Sequence, residues 1–117
     1  MKIEEVQNTF FEYEEKKIIL MKETQAFFLQ NGFSPYVWMD NECRLHIKIK
    51  HRRGLTYTQT KNDMLKIREL TKEWCKTTQS KIIWTQNTEY WDEFLIGKNK
   101  VLCETEVILK VGGENEC

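Results

Sequence analysis

The chain has 117 residues, 40% hydrophobic and 12% aromatic, with 18 basic and 18 acidic side chains and a formal charge of zero. That length suits one domain, with enough apolar material for a core. The longest aliphatic run, Ile18-Ile19-Leu20-Met21, falls far short of the ~20 apolar residues of a membrane helix, which excludes a helical span.

The start, MKIEEVQ, is acidic and lacks the apolar stretch of a secretory leader, so a soluble cytoplasmic protein is expected. Four cysteines, at 43, 75, 103 and 117, show no Cys-x-x-Cys spacing. They are read as reduced thiols, with Cys43, Cys75 and Cys103 as small core residues. The neutral total hides a segregation. Residues 1–42 carry four Lys against eight acids, residues 43–81 eleven Lys or Arg against three, and residues 82–117 three Lys against seven. A basic middle points to an anionic partner. The competing outcome is neutralisation at home, because the ends lie within a few Debye lengths, ~8 Å each, of the middle.

Residues 2–31 contain no Pro or Gly, and Ile3, Val6, Phe10, Tyr13, Leu20 and Phe27 recur at three- and four-residue steps, broken at Lys17 and Thr24. The pattern predicts a long helix ended by Asn31-Gly32. Phe11, Ile18, Ile19, Met21, Phe28 and Leu29 lie off that stripe. A helix apolar on more than one side must bury more than one side, which makes a homodimer through this helix one expectation. The period then changes to two. Residues 33–39 and 43–51 read as strands around an Asp40-Asn41 turn, with Pro35 near a strand start, where its missing N–H does least harm.

Arg52-Arg53-Gly54 is a turn signal, and residues 55–59 are expected to return as a third strand. Thr60-Lys-Asn-Asp63 has the outline of a capping box. It would open a second helix over 62–77, with Met64, Ile67, Leu70, Thr71, Trp74 and Cys75 as the buried stripe. Residues 82–88 read as a strand and 90–96 as a strand or a helical turn. After a turn at 97–100, residues 101–111 form the clearest strand, with Val101, Cys103, Thr105, Val107, Leu109 and Val111 inward. The expected fold is α+β: a two-layer sandwich with a mostly antiparallel sheet of four to six strands, the long N-terminal helix and the second helix packing on one face. Residues 1–111 would be a single domain and 112–117 a flexible tail.

The candidate site follows from the stretch CRLHIKIKHRRG, residues 43–54. Arg44, His46, Lys48, Lys50 and Arg52 alternate with Leu45, Ile47 and Ile49. In a strand the bases share one face at ~6.6 Å intervals, near the phosphate step of a single nucleic-acid strand. Arg53 continues the charge at the tip. Tyr36, Trp38 and Tyr57 are the candidates for stacking on bases. Arg68, Lys72 and Lys76, four residues apart, make a ridge on the second helix; a ridge meeting the ladder at an edge would form a groove for a polyanion. Against this stand Glu104 and Glu106. If the last strand lies beside 43–51, they pair with the ladder, each pair contributing only ~0.2–1 kcal/mol.

Catalytic signals are thin. Cys43, His46 and His51 have a ligand-like spacing, but strand alternation puts Cys43 and His46 on opposite faces, so no metal and no cofactor is expected. Serine occurs only at 34 and 80, outside any Gly-flanked elbow, and there is no Gly-rich phosphate loop. His46 is the one catalytic candidate, a general base on an RNA 2′-hydroxyl with Arg44 and Lys48 stabilising developing charge, as in a small metal-independent ribonuclease. The leading expectation is a non-enzymatic module that engages nucleic acid or a nucleic-acid-handling protein through the basic face. The alternative is an inhibitor or accessory module of viral or mobile-element type, using the apolar first helix and the acidic ends.

Overall fold

In the computed structural model, residues 3–51, 55–91 and 101–111 are described, with side chains over 14–51, 55–88 and 104–111. The chain runs α1 (Ile3–Gln30), β1 (Pro35–Met39), β2 (Arg44–Lys50), α2 (Tyr57–Thr78), β3 (Lys81–Trp91) and β4 (Val101–Lys110). One four-stranded antiparallel sheet has the order β1-β2-β4-β3. The order is an α-β-β unit used twice, and the second strand of each unit, β2 and β4, meets its counterpart at the centre. The fold is α+β, as its periodicities predict. The tip at 52–54, residues 92–100 and the tail at 112–117 lie outside the described residues.

The Gly- and Pro-free run sustains α1 up to Asn31. There Gly32 takes φ +90, a conformation open to a residue without Cβ, and the Phe33 amide returns to the Phe28 carbonyl at 2.9 Å. The buried side of α1 differs from the expected stripe. Thr24 and Phe28 are both fully buried, and Phe27 is only half-buried. Thr24, expected as a break, is the reason. Its hydroxyl donates to the Leu20 carbonyl at 2.7 Å and accepts from the Trp74 indole N–H of α2 at 2.9 Å. The polar group is therefore satisfied inside the core, and Phe27 stacks on the Trp74 ring at 4.7 Å.

The expected strand at 55–59 does not form. Thr56 is the N-cap of α2: its hydroxyl accepts from the Gln59 amide at 3.2 Å, and Gln59 Oε1 accepts from the Thr56 amide at 2.9 Å. This capping box lies four residues ahead of the expected one and satisfies two otherwise orphaned donors, so the alternating threonines enter a helix. Thr60 is instead buried within the first turns, its hydroxyl donating to the Thr56 carbonyl. At the other end Gln79 takes the left-handed conformation and closes on the Cys75 carbonyl. Of the expected α2 stripe, Ile67, Leu70, Thr71 and Trp74 are buried.

The core joins Phe28 of α1, Leu45, Ile47 and Ile49 of β2, Ile67, Leu70 and Trp74 of α2, and Val107 and Leu109 of β4. Both helices lie on this inner face, α1 over β1 and α2 chiefly over β4. Cys43 is also buried, but it is disulfide-bonded. That corrects the reading of Cys43 as a reduced thiol. Cys75 is a free, half-buried thiol whose pKa burial raises, the Ser80 hydrogen bond opposing. No helix among the described residues is long and apolar enough to cross a membrane.

Replacing Thr24 by Val keeps the shape but leaves the Trp74 N–H buried without an acceptor. The expected loss is about 1–3 kcal/mol of unfolding free energy in urea titrations. Adding Trp74→Phe removes the orphaned donor, so the double variant is expected to lose less than the sum of the single losses.

Candidate functional site

The outer face of the sheet carries the basic ladder, and no helix among the described residues covers it. Register sets its rows. Trp38 lies opposite His46, which lies opposite Ile108 and then Trp84; the next row is Tyr36, Lys48, Glu106 and Gln86. Tyr36 and Trp38 stay 65% and 40% exposed. With Ser34, Pro35, Lys48, Lys50 and Glu106 they line a depression of about 610 Å³. Two of the three aromatic candidates therefore stand beside two of the ladder lysines.

The acids are there as well. β4 runs beside β2, with Glu106 opposite Lys48 and Glu104 opposite Lys50. Lys48 Nζ reaches Glu104 at 3.0 Å, on the diagonal. Arg44 is held by Asp40 at 2.7 Å and Glu42 at 3.2 Å. Neutralisation at home thus operates on most of the described ladder, and Lys50 is its exposed member without an ion pair among the described residues.

His46 is only 8% exposed and is built into the β1–β2 turn. Its ring stacks on Trp38 at 3.8 Å, the planes 10° apart. Asp40 organises this corner. One carboxylate oxygen accepts from the Glu42 and Arg44 amides, and the other from Arg44 Nε and His46 Nε2 at 2.9 Å. The amide bonds form an Asx-type turn, with Cys43 in the left-handed region at φ 59. Burial alone would raise the pKa of Asp40. The hydrogen bonds from His46, Arg44 and Glu42 outweigh it and hold the carboxyl well below the usual 3.8. Because Asp40 is ionised, His46 Nε2 is the donor. Its Nδ1 is sealed from solvent without a partner. No ring nitrogen is thus placed as a general base must be, within reach of a substrate proton.

Other candidates lie elsewhere. Arg68, Lys72 and Lys76 are exposed on α2, in the helical layer, and β2 is a central strand, so the ridge and the ladder do not meet at an edge. Tyr57 begins α2 with the Lys61 ammonium 4.5 Å above its ring, away from the sheet face. Arg52 and Arg53 lie outside the described residues. Among the described residues there is no cluster of His, Cys, Asp and Glu able to hold a metal ion.

A second concavity escaped the sequence. Between α2 and the inner side of β3 and β4 lies a groove of about 610 Å³, with Lys61, Arg68 and Lys72 along α2 and Thr85, Asn87 and Thr105 on its floor. Beside it runs a polar chain. The Thr105 hydroxyl donates to Asn87 Oδ1 at 2.9 Å, so its oxygen accepts from His51 Nε2 at 3.1 Å. Burial lowers the pKa of His51 below 6.5, the Asp63 carboxylate opposing in part, because a proton on the buried Nδ1 would find no partner. Only a strand register can join residues 51, 87 and 105, which is why spacing missed them. No protein-family model, curated protein or solved structure matches the chain.

Two acid steps in stability are expected. Both groups have folded pKa values below their unfolded ones, so stability is full above the unfolded value and falls as pH drops towards the folded one. The His51 step starts near pH 6.5 and the Asp40 step near 3.8. Urea midpoints across pH check this: His51→Gln should remove the upper step and Asp40→Asn the lower.

Proposed function

We propose that the protein is a non-enzymatic module that holds single-stranded nucleic acid on the open face of its sheet. The observation that carries this reading is the grouping of exposed Tyr36 and Trp38 with Lys48 and Lys50 around one depression. The two aromatics are two residues apart on an edge strand, hence ~6.6 Å apart along one face. That interval admits successive unstacked bases, and stacking on aromatics tolerates any sequence. His46 presses on one side of the Trp38 ring and fixes its orientation, which lowers the ordering cost of binding. The ladder's own acids limit the electrostatic share, so affinity rests on stacking more than on phosphate contacts.

The test is an anisotropy titration with labelled ten-nucleotide oligo-dT and oligo-U at two salt concentrations. Tyr36→Ala with Trp38→Ala should weaken binding at least tenfold, given ~1–3 kcal/mol per stacked base. Lys50→Ala should shallow the log–log salt dependence by about 0.7, the loss of one phosphate contact. Absence of binding at low salt, or unchanged affinity in folded variants, rejects the reading.

A second reading is a homodimer through α1. It is favoured by Ile18 and Ile19, neighbours in sequence and each 46% exposed on that helix. Sedimentation should then show a dimer that Ile18→Lys with Ile19→Lys converts to monomer. A monomeric parent chain excludes it.

A further inference from the structure

The two edges of the sheet are built differently. β1 is five residues long, begins at Pro35 and lies under α1. β3 is eleven residues long and pairs only with β4 among the described residues. Its residues 83–87 are all exposed, including Thr85 and Asn87 on the inner side, where Val37 and Met39 of β1 are half-buried. A bulge at Ile83 disturbs the pairing with β4 at one end. Beyond it the outward amides and carbonyls form an unused template for another strand. Residues 82–88 carry no charge; Lys81 and Glu89 bound them.

Beneath this edge is the groove against α2. Lys61, Arg68 and Lys72 line it, and no carboxylate does among the described residues. Glu69 reaches Lys72 at 3.7 Å from the exposed side of the helix, with both side chains more than half exposed. Ile67 of α2 and Ile82 and Val107 of the sheet add apolar contacts.

We infer that the bare edge of β3 and the basic groove beneath it form a docking site for an extended acidic segment of a partner protein, which adds as a fifth strand. Alternate side chains of an added strand point to the inner side at ~6.6 Å intervals. Arg68 and Lys72 are one helical step of four apart, ~6 Å along α2. Acids at every second position of the segment therefore match the cations. Main-chain pairing supplies affinity and the groove supplies specificity, the recognition mode of strand addition. A nucleic-acid strand has the charge but cannot pair with backbone amides in this alternating pattern. A second copy joined β3 to β3 brings no acid to Arg68 from its uncharged stretch, and it sets two basic helices towards each other. The site lies across the sheet from Tyr36 and Trp38 and does not depend on the nucleic-acid reading.

The probe is a fluorescent nine-residue peptide of alternating Glu and Val, followed by anisotropy against the full chain. Two versions carry N-methyl groups on the odd or the even amides, and a fourth peptide alternates Lys and Val. Saturable binding of the Glu–Val peptide is expected. It should fall at least tenfold with Arg68→Glu plus Lys72→Glu, exposed changes whose fold is checked by circular dichroism. Methylation of one amide set should abolish binding and of the other spare it, and Tyr36→Ala with Trp38→Ala should leave it unchanged. No binding, equal binding of the Lys–Val peptide, or indifference to either amide set overturns the proposal. So does displacement of the peptide by oligo-dT with the same sensitivity at Arg68 and Lys72, or a dimer that Ile18→Lys with Ile19→Lys leaves intact and the peptide does not dissociate.

Discussion

The antiparallel pairing of β2 with β4 is the constraint on which the rest depends. It joins the two α-β-β units along the middle of the sheet, and its register does two things at once. On the inner side it sets Leu45 against Leu109 and Ile47 against Val107, the floor on which both helices rest. Fully burying each such side chain contributes ~1.5–3 kcal/mol. On the outer side the same register sets Lys48 and Lys50 against Glu106 and Glu104. Because side chains alternate, a slip of one residue would expose the aliphatic row and bury the charges. The hydrophobic requirement therefore also dictates the charge pairing.

Polar groups serve this frame at its corners. Asp40 gathers four donors and turns the chain from β1 into β2, and in doing so fixes His46 and, through the ring stack, Trp38. The indole N–H of Trp74 finds Thr24 fifty residues away and ties α1 to α2. In both places a residue whose type suggests chemistry or disruption has a positional task. The histidine most like a catalyst is a ring support for an exposed aromatic, and the threonine that interrupts a stripe is a buried acceptor. Each works because every partner it needs is supplied, which is the condition for polar groups in a core.

The two units are covered unequally. α1 lies over its own edge strand, whereas α2 sits over β4 and leaves much of β3 bare. That asymmetry creates the two surfaces of interest: an aromatic and cationic depression on the open side of β1 and β2, and a basic groove under the free edge of β3. They occupy opposite sides of one sheet.

Local pattern carried much of the architecture. The alternation in 43–51 marked β2 and the phase of Leu45, Ile47 and Ile49, because a period of two needs no knowledge of a partner. The absence of breakers before Asn31-Gly32 marked α1, and the burial of Thr105, Val107 and Leu109 in β4 followed from that strand's own alternation. The failures share one cause. Threonine-rich 55–59 is as good a strand as a cap by composition, and the Thr56–Gln59 bonds decided it. Thr24 and Phe28 changed roles because a helix stripe records which residues are apolar, while burial depends on where the second helix arrives. Periodicity determines the face a side chain takes, since that is a property of one segment. Which strand lies beside β2, which hydroxyl meets Trp74, and which edge stays bare depend on residues far apart in the chain, and only their meeting in the tertiary structure decided them.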